Sequence, residues 1–493
     1  MSRFVLAIDQ GTTGSRAILI DADGRRVAEA YEPHAQLHPA PGWVEHDADE
    51  VLRAVEGVLG RVLATIRAED VAAVGIANQR ETIVIWDRAT GRPIANAIVW
   101  QDARTAAACA DLVASGAGDM VRAKTGLPIQ PYFSATKLAW LLDHTPGARA
   151  RAERGELAAG TMDSWLAWHL AGTHITDVTN ASRTLLFDID RLDWDDELLA
   201  LFRVPRAILP AVEPTWGQCG PRVAGHFNGR DLDAPLLAIA GDQQAALLGQ
   251  GCLARGDAKC TYGTGAFLLV NAGQERPANL VGLLVSPAYQ QAGHPAQYAV
   301  EGAMAVAGRA VQWLRDELGL IESAEASAAL AASVDTSGGV RFVPAHQGLF
   351  APWWDADARG LISGLSLYST KAHLVRAVLE SLAFQTRAVL DAAQSAGISI
   401  STLQVDGGAT RNSVLVQLLA DVIGRPVSVS GDAEATVRGV AIAAGTAANV
   451  WTMDSALDAM RGPVHSVEPT NGSRDRWDAE YADWLLAVDR ARR

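Results

Sequence analysis

A chain of 493 residues, 49% apolar and 20% charged, exceeds what one hydrophobic core usually organises and reads as a globular protein of two domains. Its net charge of -14 excludes nucleic-acid backbone binding as the main activity, since that calls for a basic face. Cys109, Cys219, Cys252 and Cys260 show neither CxxC spacing nor a histidine cluster, which excludes a zinc site or disulfide framework and fits a reducing cytoplasm. No apolar run of about 20 residues is present for membrane insertion, and Phe4 to Ile8 are too few for a signal peptide.

In chain order, Phe4 to Ile8, Arg16 to Ile20 and Val27 to Tyr31 predict an antiparallel meander, the first two strands joined by the turn at Gly11 to Gly14. Asp47 and Glu50 open a capping-box-like helix start, and Val51, Val55, Val58, Val62 and Ile66 recur at helical spacing. Val71 to Ala77, Thr82 to Trp86 and Ala97 to Trp100 read as further strands, taken as parallel returns. The second half repeats the theme. Ala258 to Val270 ("AKCTYGTGAFLLV") is again strand, glycine-threonine turn and strand, and Leu403 to Asn412 ("LQVDGGATRN") is a short strand, a glycine pair and a helix start near Asn412. The expectation is α/β, with similar domains at 1–250 and 251–493 facing a central cleft.

Glycine turns at strand ends can aim successive backbone N–H groups at phosphate oxygens, with threonine hydroxyls adding donors. A tight hairpin uses glycine with or without a ligand, so each turn alone has two readings. Three of them over two domains suit a nucleotide. Asp9, at a strand end beside the first turn, would then orient a hydrated Mg²⁺, or merely bond its own turn. Asn78-Gln79-Arg80-Glu81 is either a charged hairpin tip or part of a ligand site. Asp242-Gln243-Gln244 opens an alanine-rich helix, as an N-cap or as a ligand set. Together these Arg donors, acidic acceptors and Gln amides form an inventory for a neutral polyhydroxy compound.

The motifs "AIDQGTTGSRA", "PGWVEHD", "NQRET", "NAIVWQD", "TNASRTLLFDID", "LDWDD", "GDQQAAL", "TYGTG", "QWLRDE" and "VDGGA" resemble the FGGY carbohydrate kinases along nearly the whole chain. Both family signatures are present, one from Tyr132 ("YFSATKLAWLLDH") and one from Gly360 to Glu380. "NQRET" with "IVWQ" is similar to the glycerol-phosphorylating members more than to the pentulose kinases. The resemblance implies two ribonuclease-H-like (actin-like ATPase) domains and Mg²⁺-dependent transfer of the ATP γ-phosphoryl group to glycerol, giving sn-glycerol 3-phosphate and ADP. It implies that Thr12, Thr13, Gly14, Arg16 and Thr264 meet the phosphates and that Gly308, Gln312, Gly408 and Asn412 hold the rest of the nucleotide. Arg80, Glu81, Tyr132, Asp242 and Gln243 would bind the glycerol hydroxyls, with Trp100 and Phe267 along its carbons. Asp242 would be the general base, and domain closure would exclude water.

Two departures from the family pattern stand out. Gly14 lies where a serine is frequent, which removes a hydroxyl contact. The segment "GHFNGRDLDAP" lacks the glycine- and arginine-rich loop with which some bacterial members bind fructose 1,6-bisphosphate, so that feedback is not expected. "HFNG" resembles the segment whose histidine is phosphorylated by the phosphocarrier protein HPr, making His226 either a regulatory site or an ordinary exposed loop histidine. The resemblance also implies a homo-oligomer, dimer or tetramer. The rival readings are a kinase of a longer polyol or ketose and an actin- or chaperone-like ATPase.

Overall fold

The computed structural model describes residues 4–217, 221–278, 280–431 and 434–492, so Cys219 lies outside the described residues. The chain forms two compact units: Met1–Gly251 with Val285–Tyr298 and Glu434–Met460, and Cys252–Leu284 with Ala299–Ala433 and Arg461–Arg493.

The first unit is built on a six-stranded sheet in the order Arg222–Phe227, Arg230–Gly241, Val71–Asn78, Phe4–Gln10, Gly14–Asp21, Arg26–Pro33. The expected meander is present: Phe4–Gln10 pairs antiparallel with Gly14–Asp21, which pairs antiparallel with Arg26–Pro33. Val71–Asn78 returns parallel to Phe4–Gln10. The other two expected parallel returns do not. Ile83–Asp87 and Ala97–Ile98 belong to a separate four-stranded sheet and pair antiparallel, because the chain leaves the first sheet through the polar segment Gln79 to Thr82.

Strand alternation sorts the faces. Leu6, Ile8, Val74 and Ile76 join Val51, Val55, Val58 and Val62 of the helix Ala48–Leu63 in one core. On the opposite face Gly75 lies against Val440 of the helix Ala435–Ala447, where a Cβ would stand 2.7 Å from the Val440 carbonyl. Asp47 caps Ala48–Leu63 as expected, accepting from the N–H groups of Asp49 and Glu50. The capping box is not closed by Glu50, whose carboxylate accepts from the Ala35 N–H instead.

The helix Asp242–Gly249 follows directly from the strand Arg230–Gly241. Gly249 and Gly439 let it meet Ala435–Ala447 backbone to backbone, since a Cβ at either would overlap the other helix. Arg438 Nε donates to the Gly249 carbonyl at 2.8 Å. The helix that begins at Asp242 is thereby held against Ala435–Ala447.

In the second unit the hairpin Ala258–Tyr262 and Ala266–Gly273 is antiparallel, and Leu403–Asp406 lies parallel to its first strand, followed by Val427–Ser430. The helix expected near Asn412 is Ser413–Ile423, capped by the Asn412 side chain. Lys371–Ser395, 25 residues long and largely buried, is the longest helix in this unit. Among the described residues no helix is long and apolar enough to cross a membrane.

Candidate active site

The segment from Asn78 to Glu81 is no solvated hairpin tip. Arg80 and Glu81 each expose only 2% of their side chains, and charges are buried this deeply only when paired. Arg80 Nε lies 3.4 Å from Glu81 Oε1 and 3.5 Å from Asp242 Oδ1. Its other nitrogens donate to Tyr132 Oη at 3.3 Å and Gln244 Oε1 at 3.4 Å. Three expected ligand residues, Glu81, Tyr132 and Asp242, thus converge on the guanidinium of a fourth, Arg80. Asp242 is the first residue of its helix, not the cap, which is Gly241. Its carboxylate accepts from the Gln243 N–H at 2.7 Å, and 28% of the side chain stays exposed, so it can still reach a ligand.

Trp100 connects this cluster to the first turn. Its ring stands edge-on to Tyr132, centroids 5.7 Å apart, and its indole N–H donates to Thr12 Oγ1 at 3.0 Å. The turn itself is closed by Gly11 N–H to the Gly14 carbonyl at 3.0 Å, leaving Thr13 exposed. Arg16 is held by two carboxylates, Glu29 at 2.5 Å and Glu434 at 2.6 Å, with which a phosphate would compete.

Asp9, opposite Arg16 in the ladder, has its carboxyl pushed up to about 7 by burial, with Asp242 and Glu434 adding charge repulsion and Arg16 opposing. Such a group of acids gains from a cation, so the donor set fits Mg²⁺. Among the described residues no three His, Cys, Asp or Glu side chains form a group that could hold a metal ion.

The second unit gathers its own set. Gly263 N–H donates to the Gly265 carbonyl at 2.9 Å. The Thr264 carbonyl accepts from Ala307 at 2.9 Å and Arg309 at 3.1 Å, and Gly308 N–H donates to the Gly263 carbonyl at 2.9 Å. The start of the helix Gly308–Asp316 therefore rests on the turn. Gly407, at φ +95°, lies against the Tyr262 carbonyl with no room for a Cβ, which brings Gly408 to the same place. Phe267 sits opposite Thr261 in the hairpin. Gln312 accepts from Arg309 at 3.3 Å. Asn412 is occupied as a helix cap and donates to Ser327 Oγ at 3.0 Å. His226 lies on a strand, not in a loop, next to the turn Asn228-Gly229; it is 67% exposed and 2.7 Å from Asp231 Oδ1.

Sequence reasoning missed the supports behind these residues. Arg183 of "TNASRT", fully buried, donates to Glu81 Oε1 at 2.8 Å. Lys137 of the first signature, also fully buried, donates to the carbonyls of Tyr132 at 3.1 Å and Trp100 at 3.3 Å, and burial lowers its ammonium to about 7. Asn180 and Asn78 exchange side-chain hydrogen bonds, each Nδ2 donating to the other's Oδ1, at 2.9 and 3.0 Å, while Thr179 Oγ1 accepts from Gly241 N–H at 2.8 Å. Asp177 holds both, accepting from Thr179 and Asn180. A lone basic side chain at the head of the apolar run Leu138 to Leu142 was the available signal for Lys137.

Comparison with known proteins covers both units. The N-terminal domain of the FGGY family of carbohydrate kinases matches residues 4–249 and its C-terminal domain residues 258–448. The chain is 50% identical over 494 residues to a glycerol kinase of Dechloromonas aromatica, covering 99% of this chain and 97% of that one. It is 48% identical over 497 residues to glycerol kinase 2 of Streptomyces avermitilis, with the same coverage. Among solved structures, Plasmodium falciparum glycerol kinase with ADP superposes with a TM-score of 0.92 at 34% identity, covering 99% of this chain and 98% of that one. Matched along both units, the chain belongs to the FGGY family of carbohydrate kinases.

Proposed function

We propose that this protein transfers the γ-phosphoryl group of ATP to glycerol, giving sn-glycerol 3-phosphate and ADP, in the cytoplasm. The observation that carries the reading is the cluster of buried Arg80 and Glu81 with the partly exposed Asp242, where donor and acceptor groups meet beside a tyrosine hydroxyl. Such a set fits hydroxyl groups, each of which both donates and accepts. The names of the relatives point the same way.

In this reading Arg80, Glu81, Tyr132 and Gln243 orient the glycerol hydroxyls, with Trp100 and Phe267 along its carbons. Asp242 accepts the proton of the attacking hydroxyl as the oxygen–phosphorus bond forms and the bond to ADP breaks. Thr12, Thr13, Gly14, Arg16 and Thr264 bind phosphate oxygens, and Gly308, Gln312, Gly408 and Asn412 bind the remainder of the nucleotide. Asp9 would hold Mg²⁺, which when bound supplies charge neutralisation at the β- and γ-phosphates.

A coupled ADP-release assay across glycerol, erythritol, dihydroxyacetone and xylulose tests the proposal. Glycerol should be the best substrate. A preference for xylulose would move the assignment to a ketose kinase, and ATP hydrolysis indifferent to glycerol would favour a nucleotide-driven conformational ATPase. The exposed His226 is proposed as an acceptor for HPr, supported by its accessibility; mass spectrometry after incubation with phosphorylated HPr tests it. The proposed dimer or tetramer is tested by light scattering.

A further inference from the structure

Gly14 is not glycine for the sake of its backbone. It opens the strand Gly14–Asp21, pairs with Pro33, and does not have a positive φ. What excludes a side chain there is Tyr31, because a Cβ on residue 14 would fall inside the contact distance of the Tyr31 hydroxyl and ring. Tyr31 is 47% exposed, so core packing does not account for its position. Its hydroxyl donates to the Thr13 carbonyl at 3.3 Å, and the His34 N–H donates to the same oxygen at 3.2 Å. The Arg16 guanidinium lies over the Tyr31 ring, 5.5 Å from its centroid, near enough for a cation–π attraction.

These contacts act on one peptide plane. In a trans peptide the C=O and N–H point in opposite directions. Two donors gripping the Thr13 carbonyl from the third-strand side therefore hold the Gly14 N–H pointing away from that strand. A backbone N–H held in a fixed direction is the feature that lets a turn bind an anion. A turn free to rotate this plane loses that advantage.

We propose that Tyr31 is a positioning residue of the first phosphate turn: its ring occupies the space of a side chain at residue 14, and its hydroxyl sets the Thr13–Gly14 peptide to donate to a phosphate oxygen of ATP. The proposal rests on reading Gly11 to Gly14 as an ATP-phosphate turn. It ties the glycine at 14 to the tyrosine at 31 as a pair, so that changing either should produce the same defect.

Calorimetric binding of adenosine, MgADP and MgATP to the full chain, with steady-state kinetics, tests the pair. Tyr31→Phe should weaken MgATP and MgADP about fivefold, the effect of losing one ordinary hydrogen bond, with adenosine affinity and glycerol KM unchanged. Gly14→Ala, which pushes the ring aside without adding a hydroxyl that could itself reach phosphate, should give a similar loss, and the double variant should lose no more than either single one. Tyr31→Phe binding MgATP as tightly as the parent would overturn the proposal, as would losses that add in the double variant or that appear equally with adenosine. A parent protein that binds MgATP no better than adenosine would remove the phosphate-turn reading and the proposal with it. A parent with that preference, retained in full by Tyr31→Phe, would remove the role of Tyr31 alone.

Discussion

The turn from Gly11 to Gly14 and the turn from Gly263 to Gly265 each join the strands of an antiparallel hairpin, and each hairpin's first strand lies parallel to a later strand, Val71–Asn78 or Leu403–Asp406. Their surroundings differ. Side chains frame the first turn: Trp100 on Thr12, Tyr31 on Thr13, and Arg16 between Glu29 and Glu434, with Asp9 at the strand end. Backbone frames the second, through the N–H groups of Ala307, Gly308 and Arg309 and the close approach of Gly407 to Tyr262. One backbone device has thus been set in two chemistries. Changes of functional group should weigh most around the first turn, and an added methyl group should weigh most around the second.

The largest effect expected on the first side is Asp242→Asn, which should lower kcat by about 10² or more, the range for losing a general base. Turnover within a few fold of the parent would remove Asp242 from that role. Next is Arg80→Ala, which leaves buried Glu81 without one of its partners and should raise glycerol KM about tenfold or more, with ATP KM within about twofold on the same grounds. 1,3-Propanediol, lacking the central hydroxyl, should be poorer than glycerol by about 10² in kcat/KM, since a buried polar site is left unpaired. An unchanged glycerol KM in Arg80→Ala would leave the polyol site to Asp242 and Gln243.

What the sequence disclosed about these regions follows the range of each signal. The meander, the cap at Asp47 and the helix start at Asn412 rest on neighbours a few residues away, and all three stand in the structure. The sheet to which Ile83–Asp87 belongs is not legible in the sequence, because nothing local distinguishes a strand that pairs with Val71–Asn78 from one that pairs with Leu157–Thr161. Arg80 and Glu81 look the same in sequence whether solvated or buried. Their burial depends on Arg183, Tyr132 and Gln244, which are distant in the chain. The Gly14 and Tyr31 pair was likewise invisible, since its meaning is a ring from the strand Arg26–Pro33 lying over the first residue of the neighbouring strand Gly14–Asp21.

On the second side, Gly308→Ala would place a Cβ 2.6 Å from the Gly263 carbonyl, a backbone atom that cannot swing away. About 1–3 kcal/mol of strain is expected from such overpacking. It should appear as a higher ATP KM with glycerol KM unchanged. Thr264→Ala, which removes one exposed hydroxyl and leaves the backbone bonds to Ala307 and Arg309, should cost ATP affinity about threefold. If Thr264→Ala were worse than Gly308→Ala, the backbone account of the second turn would fail.

A further test concerns Lys137, whose ammonium sits under Trp100 and Tyr132 and is lowered to about 7 by burial, with Glu81 and Asp102 opposing and Arg104 assisting. Between pH 7 and about 10 the unfolded chain binds a proton on this lysine that the folded chain does not. Stability contributed by the group therefore rises with pH through that window, by at most about 1.4 kcal/mol per pH unit. Below pH 7 the folded state must carry the charge, and the gain is absent. Lys137→Met keeps the length of the side chain but removes both the titrating group and its donors to the Trp100 and Tyr132 carbonyls. The informative quantity is the difference: urea unfolding at pH 7, 8 and 9 should show the parent gaining on Lys137→Met as pH rises, other groups cancelling between the two proteins. A constant difference across those three pH values would mean that the lysine is charged in the folded state, and that the first unit tolerates a full buried cation beneath its polyol cluster.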